Sequence, residues 1–191
     1  CIGVQRILVH RSIQHDFTLA VDLAAHRARL AATTIRRFRD GSDFGAGSYA
    51  GTQDTRLGDG SAGGTLPGLP RGNDALTFCD GDGDHDQALL RFDGLVGTGA
   101  GAIPPGTRIR RALLTLTTEG DSSHSADGGR LHRMLVPWNE QSTWHLLGGG
   151  VQLGSEALLA HDADARGLVT SKGTTSFDVT ASVQSWIDGA P

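Results

Sequence analysis

Glycine and proline break this chain at such short intervals that long helices have little room to form. Between Asp43 and Asn73 glycine stands at 45, 47, 51, 58, 60, 63, 64, 68 and 72 and proline at 67 and 70. Glycine admits left-handed backbone and proline fixes φ, so this segment is turn material lying over a core built elsewhere. The chain of 191 residues carries 28 glycines against six Phe, three Trp and one Tyr. That balance favours short elements joined by tight turns, and the length suffices for one sizeable core.

The short elements read as strands. Thr33–Arg39, Thr55–Leu57, Ala75–Phe78, Gln87–Phe92, Thr107–Thr118, Leu131–Val136 and Thr175–Val179 are apolar, β-branched or alternating runs bounded by turn residues. In Thr107–Thr118 the residues Ile109, Ala112, Leu114 and Leu116 interleave with polar positions, with Leu113 out of phase. Ser182–Ile187 reads either as a short helix or as a closing strand. Helix-length spacers that would cross over a parallel sheet are missing, so the expected fold is all-β, an antiparallel β-sandwich of jelly-roll type.

Residues 1–33 differ in texture and read as an N-terminal extension to a domain spanning 34–191. Val4–Ile13 contains an alternating run. Asp16 could cap a helix running to about Arg29, although Phe17–Leu23 also alternates as a strand would. Residues 1–40 carry seven arginines against three aspartates, whereas the remaining residues are strongly acidic within a net charge of -4. A body of that sign argues against a phosphate-tracking nucleic-acid surface, so no nucleic-acid partner is expected. No apolar run is long enough for a membrane-spanning helix.

The sharpest chemical signal is Cys79-Asp80-Gly81-Asp82-Gly83-Asp84-His85-Asp86. Alternating carboxylates repel one another unless a hard cation or solvent offsets their charge, so Asp80, Asp82 and Asp84 are candidate Ca2+ ligands. The EF-hand template fails, because His85 stands where its glycine belongs and Arg91 where its bidentate acid belongs. Cys1 and Cys79 permit one disulfide and no thiolate zinc site. A bridge between them would fit an oxidising compartment; a free pair, or a lipid anchor at Cys1, is the alternative.

Several stretches in order resemble the DNRLRE-type jelly-roll domain. They are Tyr49–Thr55, Gln87–Asp93, Ile103–Ile109, Ala112–Leu116, Leu131–Leu135, Trp138–Trp144, Phe177–Thr180 and Val183–Trp186, together spanning about residues 34–190. The resemblance implies a secreted or cell-surface bacterial module without catalytic activity, some relatives of which bind acidic polysaccharides such as alginate. It also implies a structural calcium, with Asp54 and Asp178 joining the three loop aspartates because the family places similar carboxylates at strand ends.

Two kinds of partner are expected from this reading. Arg91 faces opposite to Leu90 and Phe92, and with Arg108, Arg110 and Arg133 it could form a positive strip that grips carboxylated sugars bidentately. The bland reading is an arginine ladder paired with local aspartates. Tyr49 is a candidate stacking ring, whereas Trp138, Trp144 and Trp186 read mainly as core. Ser122, His124 and Asp127 offer triad ingredients, but in a turn where such residues are common, so a binding role is expected rather than catalysis. The alternative is a structural subunit whose residues 1–33 dock on a neighbouring copy and complete its sheet.

Overall fold

The computed structural model describes residues 5–8, 13–24, 34–43, 47–61, 66–77, 79, 85–118, 129–166 and 173–189. Within them the chain forms β1 (Gln5–Leu8), β2 (Ile13–Ala24), β3 (Thr34–Phe38), β4 (Thr52–Gly58), β5 (Leu76–Thr77) and β6 (Asp86–Phe92). There follow β7 (Arg108–Thr118), β8 (Arg130–Arg133), β9 (Ala163–Arg166), β10 (Gly173–Asp178) and one helix, α1 (Thr180–Ile187). The described strands pair antiparallel in the order β3-β2-β7-β10-β9-β8-β1-β6-β4, with β5 beside β2. The mostly-β, antiparallel character expected from the sequence is therefore present.

The sheet has two wings joined by β9. Ala163 and Asp164 pair with β8, and the next two residues, Ala165 and Arg166, pair with β10. Inward rows of both wings meet in one core. Ala88 and Leu90 of β6 and Leu131 of β8 join Phe38, Ala112, Leu114, Leu116 and Phe177 from the other wing, with Val183 and Ile187 of α1. A second cluster covers the opposite face of the first wing, where Leu57 and Leu89 pack against Met134, Trp138, Val151 and Ala157. Strands β4 and β6 are thus covered on both faces, which explains why Ala88-Leu89-Leu90 runs apolar without alternation.

In β7 the change of phase falls at Arg110 rather than at Leu113. Asp22 pairs with Arg111 but Leu23 with Ile109, so Arg110 is the extra residue of a bulge. The bulge lets Ile109 and Ala112, three positions apart, both enter the core. Leu113 then lies half-buried on the outward face.

Residues 5–8 and 13–24 are built into the sheet rather than standing apart from it. Strand β1 lies between β8 and β6, and β2 lies between β3 and β7. The helical reading from Asp16 is replaced by strand as far as Ala24, and residues 25–30 lie outside the described set. Pairing on both sides at Leu19–Leu23 decides this, because it supplies the backbone groups there with partners.

The last element resolves as a helix. Asp178 Oδ1 accepts from the Thr180 N–H at 3.2 Å and from its hydroxyl at 2.6 Å, bracing the first turn. Thr180 Oγ1 in turn accepts from the Ala112 N–H at 2.9 Å, and Gln184 Oε1 from the Ile109 N–H at 2.8 Å, so α1 is tied to β7. No helix among the described residues is long and apolar enough to cross a membrane.

Candidate functional site

The four arginines expected to form one strip are divided between the wings. Arg91, on β6, pairs in register with Gln53 and shares the outer face of the first wing with Leu89. Its Nη1 donates to the Trp138 carbonyl at 2.6 Å, its Nη2 to Asp93 Oδ2 at 3.0 Å and also to Gln53 Oε1, and its Nε lies 2.8 Å from Asp93 Oδ1. The guanidinium also sits 5.3 Å over the Trp138 ring. This fork is already engaged in a bidentate internal pair, so it fastens the 134–157 segment to the sheet. Arg133, on β8, pairs with Asp162 at 3.3 Å with both side chains largely buried. A common binding strip of Arg91, Arg108, Arg110 and Arg133 is therefore not formed.

Arg108 and Arg110 belong to the other wing and are exposed, as is Arg111 beside them. The bulge is the reason, because it adds one outward position where strict alternation would allow only two. Across the strands, Arg111 aligns with Asp22 and Ile35, and Leu113 aligns with Ala20 and Arg37. Ile35 is 56% exposed and Arg37 is exposed as well. Further along the same face Thr115 lies opposite Ser176, their hydroxyls 3.2 Å apart, and Thr117 lies opposite Thr174. The outer face of the second wing thus has a guanidinium-rich end and a hydroxyl-rich end. Among the residues whose side chains are described, no carboxylate makes an ion pair with Arg37, Arg108 or Arg111. Guanidinium forks recognise carboxylates in a plane, and hydroxyls both donate and accept, so the surface offers what an acidic, hydroxylated polymer needs.

Asp80, Asp82 and Asp84 lie outside the described residues, as does Cys1 and with it the expected pairing to Cys79. Cys79 itself is buried, and its Sγ accepts from the Ala88 N–H at 3.1 Å. Asp54 and Asp178 stand in different settings. Asp54 aligns with Leu90, a core residue of the first wing, whereas Asp178 follows the core residue Phe177 on β10 and braces α1 through Thr180. Among the described residues no group of three or more His, Cys, Asp or Glu could hold a metal ion.

The foot of the acidic turn is nevertheless built. Gly58 pairs with Asp86, so Asp59 stands beside the point where the turn enters β6. His85 Nδ1 is 2.7 Å from Asp59 Oδ2, and Asp59 Oδ1 accepts from the Ser61 hydroxyl at 2.6 Å and N–H at 2.8 Å. The Ser61 hydroxyl, against an opposing cost of desolvation and helped by the Ser61 N–H and His85, holds the Asp59 carboxyl well below the usual range. Sequence reasoning passed over Asp59, although Asp59-Gly60-Ser61 is a recognisable Asx turn.

Tyr49 is placed in the core rather than on a stacking surface. It is 6% exposed, its ring meets Phe38 edge-on at 5.5 Å, and its hydroxyl donates to the Asp93 carbonyl at 2.9 Å. A Cβ on Gly51 would come within 2.4 Å of that carbonyl and 2.7 Å of the Tyr49 hydroxyl, so only glycine fits there. Trp138 lies in the second cluster at 4% exposure, with Trp144 packed against that cluster and Trp186 against the main core. The triad-like Ser122, His124 and Asp127 fall outside the described residues.

Comparison of the chain with protein-family models, with curated proteins and with solved structures gives no match.

Proposed function

We propose that this chain is a non-catalytic, secreted or cell-surface jelly-roll module of the DNRLRE type that binds an acidic extracellular polysaccharide. The binding face is the outer side of the second wing, centred on Arg37, Arg108, Arg110 and Arg111. The observation that carries this reading is the bulge at Arg110, which turns three cationic positions, Arg108, Arg110 and Arg111, to solvent around the buried Ile109. Thr115, Thr117, Thr174 and Ser176 extend the face with hydroxyls for the sugar hydroxyls. Calcium, held by Asp80, Asp82 and Asp84, would offset the charge of the segment that leads into β6.

Affinity electrophoresis in gels carrying a polyuronate, a sulfated glycan or a neutral glucan tests the assignment. The polyuronate gel retards the native protein, added salt weakens the retardation, and the neutral gel leaves mobility unchanged. Arg108→Ala combined with Arg111→Ala abolishes most of the retardation, whereas Arg130→Ala, an exposed charge on β8, does not. Equal mobility in all gels for the native chain overturns the reading.

A further inference from the structure

Strand β1 separates β6 from β8 and is the element through which they are joined. Gln5, Arg6 and Ile7 align with Leu90, Leu89 and Ala88 of β6, while Gln5, Arg6, Ile7 and Leu8 align with Arg133, His132, Leu131 and Arg130 of β8. The register row of Ile7 therefore runs between Ala88 and Leu131, both 0% exposed members of the main core. Without a strand in this slot, two ladder edges and part of that core would face water, which neither hydrogen bonding nor apolar burial tolerates. The slot must be filled.

What fills it is a four-residue strand joined to β2 through residues 9–12, and the two strands belong to different wings. Contacts within the slot depend only on the sequence and register of the inserted strand. The same segment from a second copy makes the same two ladders, and exchange of identical elements through a short hinge is a low-cost route to association.

We propose that the slot between β6 and β8 is a strand-exchange site, which takes the β1 segment of a second copy of this chain in the register that β1 holds here. The occupant is a second copy because the pattern fits this sequence: an apolar position at Ile7 in the row between Ala88 and Leu131, preceded by the polar positions Gln5 and Arg6 beside Arg133 and His132. Each copy then gives one strand and receives one. Reciprocal exchange closes a dimer, and head-to-tail exchange extends a chain of copies.

Cysteine pairing across the ladder tests the proposal in the full chain. Leu8 and Arg130 are directly opposite at the ladder's end, and such residues have Cβ atoms about 4.5–5.5 Å apart, close enough to bridge. In a Cys1→Ser background, with Cys79 buried, chains carrying Leu8→Cys are mixed with chains carrying Arg130→Cys, warmed into partial unfolding, cooled and oxidised. The expected result is a covalent dimer joined between positions 8 and 130, whose yield rises with protein concentration and stands well above that from a Leu146→Cys partner, an exposed residue outside the slot. A yield no greater than with Leu146→Cys, while the doubly substituted chain bridges internally at every concentration, overturns exchange. If the doubly substituted chain stays unbridged, β1 does not occupy the slot and the proposal falls with it.

Discussion

Tyr49 is the chain's single tyrosine, and its surroundings give it a titration that can be read without interference. Burial first, then the negative charges of Asp40 and Asp93, pushes its phenol above the ordinary value of 10.0. Because the folded pKa lies above the unfolded one, the unfolded chain releases its proton first. The stabilisation is complete below pH 10 and is lost as pH rises beyond it. The native protein should therefore show no phenolate absorbance at pH 10.5, whereas the urea-unfolded chain shows it plainly. Tyr49→Phe should remove this part of the alkaline loss of stability while costing about 1 kcal/mol at neutral pH through the lost bond to the Asp93 carbonyl, measured by urea unfolding. Asp93 is the residue that gathers this corner. Its carbonyl accepts from Tyr49, its N–H donates to the Gly51 carbonyl at 2.6 Å, and its carboxylate holds Arg91. None of that was visible in the sequence, where Tyr49 and Asp93 are 44 positions apart and each sits in a plausible surface turn.

At the scale of elements, β7 shows where pattern reading succeeds and where it stops. Its apolar positions mark a strand correctly, but the residue that interrupts the period can be assigned only from the partner strand. The bulge makes two deletions unequal. Removing Arg110 leaves Ile109, Ala112, Leu114 and Leu116 in simple alternation, so the protein should still fold, with a loss of affinity for polyuronate. Removing Leu113 turns Leu114 and Leu116 outward, forfeiting about 1.5–3 kcal/mol for each leucine, and should leave no cooperative urea transition. Strand β9 shows the opposite limit. Ala163-Asp164-Ala165-Arg166 has no β-branched or aromatic residue, and no propensity argument would choose it. It is a strand because edges of β8 and β10 lie on either side of it.

For the whole molecule, the acidic turn and the double core set the expected response to calcium. A cation held by Asp80, Asp82 and Asp84, as proposed, would bind the folded chain alone. At a concentration about a hundred times its Kd it would add roughly 2.7 kcal/mol. For a chain of this size that corresponds to about 5–10 °C in melting temperature. Thermal unfolding with calcium and with EDTA should differ by that amount, and an unchanged melt removes the ion from the proposal.

The amino-acid sequence by itself determined that this protein is made of short antiparallel strands, because glycine spacing excludes long helices and side-chain alternation is a local property of the backbone. It also marked Ala88-Leu89-Leu90 as core and the Asp80–Asp84 turn as a place where like charges need an offset. Only the tertiary structure decided which arginines face solvent, that Tyr49 is buried, and that β1 and β2 belong inside the sheet. Those outcomes depend on which strand lies beside which, and strand neighbours are chosen by long-range pairing and burial that no window of sequence contains.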